Sequence, residues 1–252
     1  MSPLRQAVLG FTGVGVYGMA MYMTYQYTRF QKDGTTLETG KSYVADPCRT
    51  QQFQKIAHQY DNVIGTDEFL MGINLLRRWL LYFHAKGTVL EVGAGTARNV
   101  PYYPSSVDRV VLSDASDQML AQARDKIGAI DKPRFAVLHA DASQLPLPED
   151  AFDTVVDTFG LCSFDDPVAV LKEMSRVCKP DGKILLLEHG RSHSWSFVTN
   201  HLDRYAEQHA AHWGCVWNRD LDRILEESGL EVQVLQRWHF GTTYYVVLAP
   251  SR

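Results

Sequence analysis

Apolar positions recur along the chain in two patterns, and the first gives way to the second near residue 86. From about Cys48 to Ala85 they are spaced by three and four, which predicts two helices. After Lys86, short apolar runs alternate with helical segments, and the runs predict seven strands at residues 88–92, 109–113, 134–139, 151–157, 183–188, 230–237 and 243–249. Repeated β-α-β units predict an α/β fold with a mostly parallel sheet and helices on both faces. The short turn before the last strand makes that strand antiparallel.

The segments between the strands carry helix-end signals. Ser116 is a suitable N-cap for the helix that follows the second strand. The helix predicted over 167–178 begins with proline, and Gly229 closes the last helix. Residues 97–103 predict a brief helix. We expect Gly182 to supply a positive φ in the turn before the fifth strand.

The N-terminal segment differs from the rest of the chain. Residues 6–28 contain no charged side chain, four glycines and, in their second half, four tyrosines. A helix needs roughly 20 apolar residues to cross a bilayer, and aromatic rings favour the membrane–water boundary. The segment therefore predicts a single-pass membrane anchor. An interfacial helix is the alternative, and basic residues on both sides leave the orientation open.

Other targeting signals fit this segment less well. No small-residue cleavage site follows it, as a secretory signal peptide requires, and it is poorer in basic residues than a transit peptide. We therefore assign residues 1–29 to the membrane anchor. Residues 30–47 are polar and form a linker. Residues 48–252 form one globular domain.

Composition excludes several classes of protein. The chain has 252 residues, 45% of them hydrophobic, and a formal net charge of −4. These values exclude a disordered chain. No nucleic-acid partner is expected, because proteins that bind nucleic acids are usually basic. A mean hydropathy of −0.21 excludes a polytopic membrane protein. The four cysteines are widely spaced without a C-x-x-C pair, which predicts reduced, mostly buried thiols and no metal site.

A glycine turn follows the first strand. Gly93 and Gly95 permit a tight turn and a close backbone approach to a ligand. A dinucleotide site would need a third glycine at position 98, where this chain has Arg98. Glu91, two residues before the turn, adds an acid that a dinucleotide loop would not place there. A nicotinamide dehydrogenase is therefore disfavoured.

Acidic residues end three successive strands. Glu91 lies at the end of the first strand, Asp114 at the end of the second, and Asp141 just beyond the third. Ligands bind beyond the carboxyl ends of such strands. A carboxylate at Asp114 can accept both hydroxyls of a ribose, and Asp141 with a backbone amide can read an adenine edge. Each acid alone is an ordinary loop residue, but the three together indicate a site.

Four segments resemble the motifs of class I S-adenosylmethionine-dependent methyltransferases. They are VLEVGAGTA, VVLSDASDQML, ADASQLPLPEDAFDTVVDTFGLCSF and RVCKPDGKILLLEHG. The match runs in order from roughly Ala85 to Leu248 and is similar to the ubiquinone/menaquinone C-methyltransferase type. The later segment HAAHWGCVWNR resembles a membrane-anchored branch with mitochondrial inner-membrane and endoplasmic-reticulum members. The resemblance implies a seven-stranded Rossmann-like fold, S-adenosylmethionine as cofactor, and a mitochondrial inner membrane location, with the endoplasmic reticulum as the alternative.

The resemblance also implies roles for individual residues. The first motif would hold the methionine part of the cofactor, Asp114 the ribose, and Asp141 the adenine amine. The full set of implied cofactor-binding residues is Glu91, Gly93, Ala94, Gly95, Asp114, Ala115, Met119, Asp141, Ala142, Thr158 and Phe159. Two positions depart from the family pattern, since Ala97 and Asp181 stand where glycine is common.

Methyl transfer requires mainly the alignment of two reactants. If a base is needed, His189, at the end of the fifth strand, is the first candidate. His209 and His212 are expected to pack rather than bind zinc. Trp195, Trp213, Trp217 and Phe197 form either an apolar lid over a hydrophobic acceptor or ordinary core. Cys215 has no activating neighbour that the sequence identifies, so we predict no nucleophilic role for it.

The resulting hypothesis is a membrane-anchored methyltransferase that modifies a small-molecule or protein acceptor. The rival from another class is a methyltransferase-like assembly or scaffold subunit that has lost turnover. The glycine turn and the three acids argue against the loss of cofactor binding. They leave the acceptor open.

Overall fold

A seven-stranded sheet forms the centre of the fold in the computed structural model, which describes residues 49–130 and 134–251. The strand order is β3-β2-β1-β4-β5-β7-β6, as the Rossmann-like prediction requires. The strands are β1 (Gly87–Val92), β2 (Val107–Asp114), β3 (Phe135–His139), β4 (Phe152–Thr158), β5 (Cys178–His189), β6 (Glu231–Trp238) and β7 (Thr243–Ala249). The helices are α1 (Arg49–Leu70), α2 (Ile73–His84), α3 (Asp117–Ile130), α4 (Pro167–Val177), α5 (Ser196–Trp213) and α6 (Leu221–Ser228).

The sheet is parallel from β3 to β5, and β7 pairs antiparallel with both β5 and β6. The prediction of an antiparallel last strand is confirmed. The short turn at residues 239–241 forces this arrangement, and all three residues adopt positive φ. The central strands carry apolar side chains on both faces, and each face has its own buried cluster. This explains why strands such as β1 are apolar throughout rather than alternating.

Helix ends follow the predicted signals in part. The Ser116 hydroxyl accepts the Met119 amide at 3.3 Å, and Gly229 ends α6 with a left-handed φ of 70°. The brief helix predicted over 97–103 is reduced to a 3-10 turn at Val100–Tyr102.

The expectation of a positive φ at Gly182 is wrong. β5 starts directly at Cys178, so Gly182 lies within the strand, and it is not among the glycines with positive φ. Glycine is needed there for space. A Cβ atom on Gly182 would lie 2.7 Å from the Cys178 sulfur and 2.9 Å from the Lys179 carbonyl oxygen.

The strand order reverses between β1 and β4, so the loops after these strands part and leave a crevice beside the carboxyl end of β1. This is where the glycine turn and the acidic strand ends lie. Across residues 49–130 and 134–251, none of the helices is both long and apolar enough to cross a bilayer. The anchor predicted at residues 6–28 lies outside the described residues.

Candidate active site

The turn after β1 is built from left-handed backbone. Gly93, Gly95 and Ala97 have φ values of 59°, 54° and 61°. A Cβ on Gly93 would lie 3.0 Å from the Phe164 ring, whereas one on Gly95 would meet nothing within 4 Å. A positive φ favours glycine at both positions, and the open space beside Gly95 leaves room for a ligand. Ala97 adopts the same conformation with a Cβ, at a cost of about 1–2 kcal/mol.

Asp114 joins the glycine turn to the end of β2. Its Oδ2 accepts the Gly95 amide at 2.9 Å, and its Oδ1 accepts the Ser116 amide at 2.8 Å. Burial raises the pKa of Asp114, and these amide donors partly offset that rise. Each carboxylate oxygen keeps a free lone pair, so the side chain can still accept ligand hydroxyls.

Asp141 occupies the corresponding place after β3 but is exposed. Its Oδ1 accepts both the amide and the hydroxyl of Ser143, each at 2.8 Å. Both of these hydrogen bonds reach the same carboxylate oxygen, so the other is available to a ligand. Asp114 and Asp141 therefore differ in burial and in how many of their oxygens the fold engages.

Glu91 is buried beneath the turn, with 2% of its surface exposed. The Tyr103 hydroxyl donates to one carboxylate oxygen at 2.6 Å and the Asn99 amide group to the other at 3.1 Å. Burial raises the pKa of Glu91 to about 7, although both hydrogen bonds oppose the rise. The residue supports the turn from below as well as bordering the cleft.

Helix α1 forms a wall of the cleft, which sequence reasoning missed. Its residues Thr50, Phe53 and Tyr60 border the cleft. Asp61 accepts the Thr96 hydroxyl of the glycine turn at 2.6 Å and the Lys126 ammonium group at 2.7 Å. The helix is thus held against the turn by polar contacts that lie far apart in sequence.

Two arginines complete this attachment. Arg98 pairs with Asp61 at 3.0 Å and with Glu68 at 2.6 Å. Arg77, only 3% exposed, donates to Glu68 at 2.6 Å and also to Asn99 and Thr158, while its guanidinium lies over the Phe159 ring. One sequence signal was available: Asp61 and Glu68 lie seven residues apart, on one face of α1.

All eleven residues that the resemblance implies for the cofactor line one cleft of about 290 Å³. This volume is at the lower end of the range of small-molecule sites. The cleft combines carboxylates with apolar side chains such as Met119 and Phe159. A lining of acids and apolar groups suits a ligand that carries a sulfonium charge, ribose hydroxyls and an adenine ring. The residues present therefore fit S-adenosylmethionine.

His189 is not among the residues that line this cleft. Its ring packs against Phe159 with the centroids 5.3 Å apart, so it lies behind the cleft wall. Burial would lower the pKa of His189, but the adjacent Cys162 thiolate raises it on balance. A role for His189 as a base stays a prediction.

The fold gives Cys215 two neighbours that the sequence does not identify, but burial raises the pKa of its thiol, and the absence of a nucleophilic role stays a prediction. The His189 Nε2 atom lies 2.7 Å from the Cys215 sulfur, and one ligand atom from each of Cys162, His189 and Cys215 lies within 4.8 Å of the others. A hydrogen bond from Cys215 lowers the pKa of the Cys162 thiol. We refer to these three residues as the thiol–imidazole cluster.

The remaining aromatic predictions have mixed outcomes. His209 stacks on Trp217 with centroids 4.0 Å apart, and burial lowers the pKa of His209 to about 3, which supports packing. Trp195 and Phe197 are 47% and 57% exposed and contact Phe240. Their exposure excludes a place in the core, and they do not line the cleft, so a lid over the acceptor stays a prediction.

Comparison with known proteins identifies relatives. Residues 90–186 match the family model described as a methyltransferase domain. The chain is 36% identical over 215 residues to mitochondrial methyltransferase OMS1 of Saccharomyces cerevisiae, which covers 79% of this chain but only 45% of that protein. It is 31% identical over 192 residues to the ubiquinone/menaquinone biosynthesis C-methyltransferase UbiE of a Marinomonas species, covering 71% of this chain and 74% of that one.

Solved structures support the fold. A SAM-dependent methyltransferase from Aquifex aeolicus superposes with a TM-score of 0.56 at 18% identity, covering 80% of this chain and 98% of that one. This similarity speaks for the architecture alone. With the Marinomonas relative, the matching family model and the fit of the cleft, it leads to one conclusion. The chain belongs to the S-adenosylmethionine-dependent methyltransferases, whose cofactor is S-adenosylmethionine.

Proposed function

We propose that this protein is a membrane-anchored methyltransferase that transfers a methyl group from S-adenosylmethionine to a hydrophobic small-molecule or protein acceptor. The observation that carries the proposal is the convergence of all eleven implied cofactor residues on one cleft. The family match alone would leave open a subunit that has lost its cofactor site. The intact glycine turn and its buried acids argue against that alternative.

The chain's own residues would chiefly bind and orient. When bound, the cofactor supplies a methyl group on a positively charged sulfur, which is already a strong electrophile. Asp114 would accept the ribose hydroxyls, and Asp141 would accept the adenine amine. Glu91 would place negative potential near the amino group of the methionine part. Phe159 and Met119 would exclude water, so that orientation supplies much of the rate enhancement.

An exposed apolar stripe supports a location at a membrane. Leu75, Trp79, Tyr82 and Phe83 follow one another at helical spacing on α2 and are 39–66% exposed. Trp238 on β6 extends the stripe, with its ring 6.4 Å from that of Trp79. Aromatic side chains are favoured at the membrane–water boundary. Together with the uncharged segment at 6–28, this surface supports the proposed anchor and an acceptor drawn from the membrane.

The decisive experiment is transfer of labelled methyl groups from S-adenosylmethionine to fractionated membranes by the full-length protein. We expect label in the lipid or small-molecule fraction, and much less with Asp114→Asn when the cofactor concentration is below saturation. Label confined to protein would identify the acceptor as a protein rather than a small molecule. Calorimetric binding of the cofactor without any transfer would favour the scaffold alternative, and no binding to folded protein would exclude the enzyme proposal.

Membrane attachment has a separate test. After carbonate extraction the full-length chain should stay in the membrane pellet, because a spanning helix is not released by high pH. Release into the wash would exclude a spanning anchor. The yeast relative is named as mitochondrial, which supports the proposed placement in the mitochondrial inner membrane. Fractionation with endoplasmic-reticulum markers tests the alternative.

A further inference from the structure

The thiol–imidazole cluster lies behind the cleft, outside the machinery of the proposed function. Its three members come from separate parts of the chain. Cys162 lies in the turn after β4, His189 ends β5, and Cys215 follows the left-handed cap that ends α5. All three are buried or half-buried. Two soft sulfurs and one imidazole are the donor types that zinc selects.

From this arrangement we propose that Cys162, His189 and Cys215 bind a divalent zinc-type metal ion. The ligand atoms lie within 4.8 Å of one another, so a single ion can contact all three with small side-chain adjustments. On binding, both sulfurs would coordinate as thiolates and the imidazole through its neutral nitrogen, so the protons that the thiols and the imidazole hold would be released to solvent. No electron transfer is involved.

The cluster is held together by backbone contacts that do not depend on the side-chain ligands. The Cys162 carbonyl oxygen accepts the Val216 amide at 2.9 Å and the Arg219 guanidinium at 3.2 Å. The Arg219 carbonyl in turn accepts the Arg191 amide at 2.9 Å, two residues after His189. These bonds tie the three ligand-bearing segments together, so the site is largely preformed.

The surroundings of the cluster are acidic. Asp157 and Glu188 are buried beside the cluster, at 0% and 1% exposure. Neither oxygen of Asp157 makes a hydrogen bond of ordinary geometry, nor does Glu188 Oε2. Glu188 precedes His189 in the chain, and its other oxygen accepts the Gly160 amide at 3.2 Å, two residues before Cys162.

Buried acids with few hydrogen-bond partners are costly even where they contact each other, as Asp157 and Glu188 do, and proteins often place a counter-charge or a metal beside them. Within the part of the chain that the structure describes, no lysine or arginine pairs with either carboxyl group. A bound divalent cation would supply positive charge to this pocket of two thiols and two carboxyls.

The test is metal content of the purified full-length protein in detergent. We expect about one zinc ion per chain after equilibrium dialysis against zinc, and cobalt substitution should give a thiolate-to-cobalt charge-transfer absorption band. Cys162→Ser, Cys215→Ser and His189→Gln should each weaken binding by roughly 10-fold or more. Cys178→Ser is the matched control, since Cys178 is also a buried free thiol but lies outside the cluster.

Binding of S-adenosylmethionine and circular dichroism show whether each variant is folded. Two results would overturn the proposal. One is wild-type protein that binds neither zinc nor cobalt although its thiols react with a chromogenic reagent or form a Cys162–Cys215 disulfide. The other is equal loss of metal in Cys178→Ser, which would mean that zinc binds to thiols without regard to this geometry.

Discussion

The two walls of the cofactor cleft are assembled in different ways. The strand-end wall consists of the glycine turn and of the acids at the ends of β1 and β2 and just beyond β3. Each of these groups is placed by the strand that it ends or follows. The helical wall is α1, which is held by Asp61 and Glu68 to arginines far along the chain. The first wall is therefore determined by local sequence, and the second depends on long-range ion pairs. Substitutions on the two walls should therefore damage the cleft in different ways.

The largest effect is expected on the helical wall. Arg77→Met would leave Glu68 with one of its two arginines and would remove the donors to Asn99 and Thr158. Removing one member of a buried ion pair typically costs about 3–5 kcal/mol. We expect a loss of this size in the free energy of unfolding, measured by urea denaturation in detergent.

The neighbouring arginine is the matched control. Arg78 is exposed on the same helix, so Arg78→Met should change the free energy of unfolding by about 0.5 kcal/mol or less. Equal losses in the two variants would show that the ion pairs do not hold the helical wall.

This comparison also explains what could be predicted from sequence. The positions of the strands, the antiparallel β7 and the eleven cleft residues follow from periodicity, turn chemistry and motif resemblance, all of which are local signals. Arg77 lies in an apolar helical pattern, and nothing local indicates that it meets Thr158. Cys215 likewise meets His189 only because α5 and the loop after it return to the end of β5. Contacts between distant segments leave no spacing to recognise.

The next effect concerns Glu91, beneath the strand-end wall. Its pKa of about 7 in the folded state exceeds the ordinary value near 4.5. The folded protein therefore holds the proton more tightly, which contributes stability that is fully present below about pH 4.5 and is lost as the pH rises through 7. At about 1.4 kcal/mol per pKa unit, the wild type should lose roughly 3 kcal/mol relative to Glu91→Gln across this window.

Urea unfolding at a series of pH values measures this difference. Glu173→Gln supplies a control of opposite sign. A hydrogen bond from Arg176 lowers the pKa of Glu173, so its stabilisation is present above the unfolded value and disappears as the pH falls. If the difference in the free energy of unfolding between wild type and Glu91→Gln stayed constant across this pH window, Glu91 would be ionised in the folded protein throughout it.

A smaller effect is expected when Asp114 is likewise replaced by its amide, in Asp114→Asn. Both carboxylate oxygens accept backbone amides, so an asparagine NH₂ group would face an N–H donor at one of them. The turn would be disturbed and a ribose acceptor lost. We expect cofactor affinity to fall roughly 100-fold by calorimetry, about 2.7 kcal/mol. Asp108→Asn, exposed at the other end of β2, should bind normally; similar losses in both would implicate the strand rather than the carboxylate.

The smallest effect separates the two acids of the strand-end wall. In Asp141→Asn the amide oxygen can keep both hydrogen bonds from Ser143, because both reach the same carboxylate oxygen. Only the outward oxygen is replaced, so a single ligand hydrogen bond is lost and affinity should fall roughly 5-fold. The same chemical change would thus be severe where the fold uses both oxygens and mild where it uses one. If Asp141→Asn weakened binding as much as Asp114→Asn, ligand contacts rather than support of the turn would determine the importance of these acids.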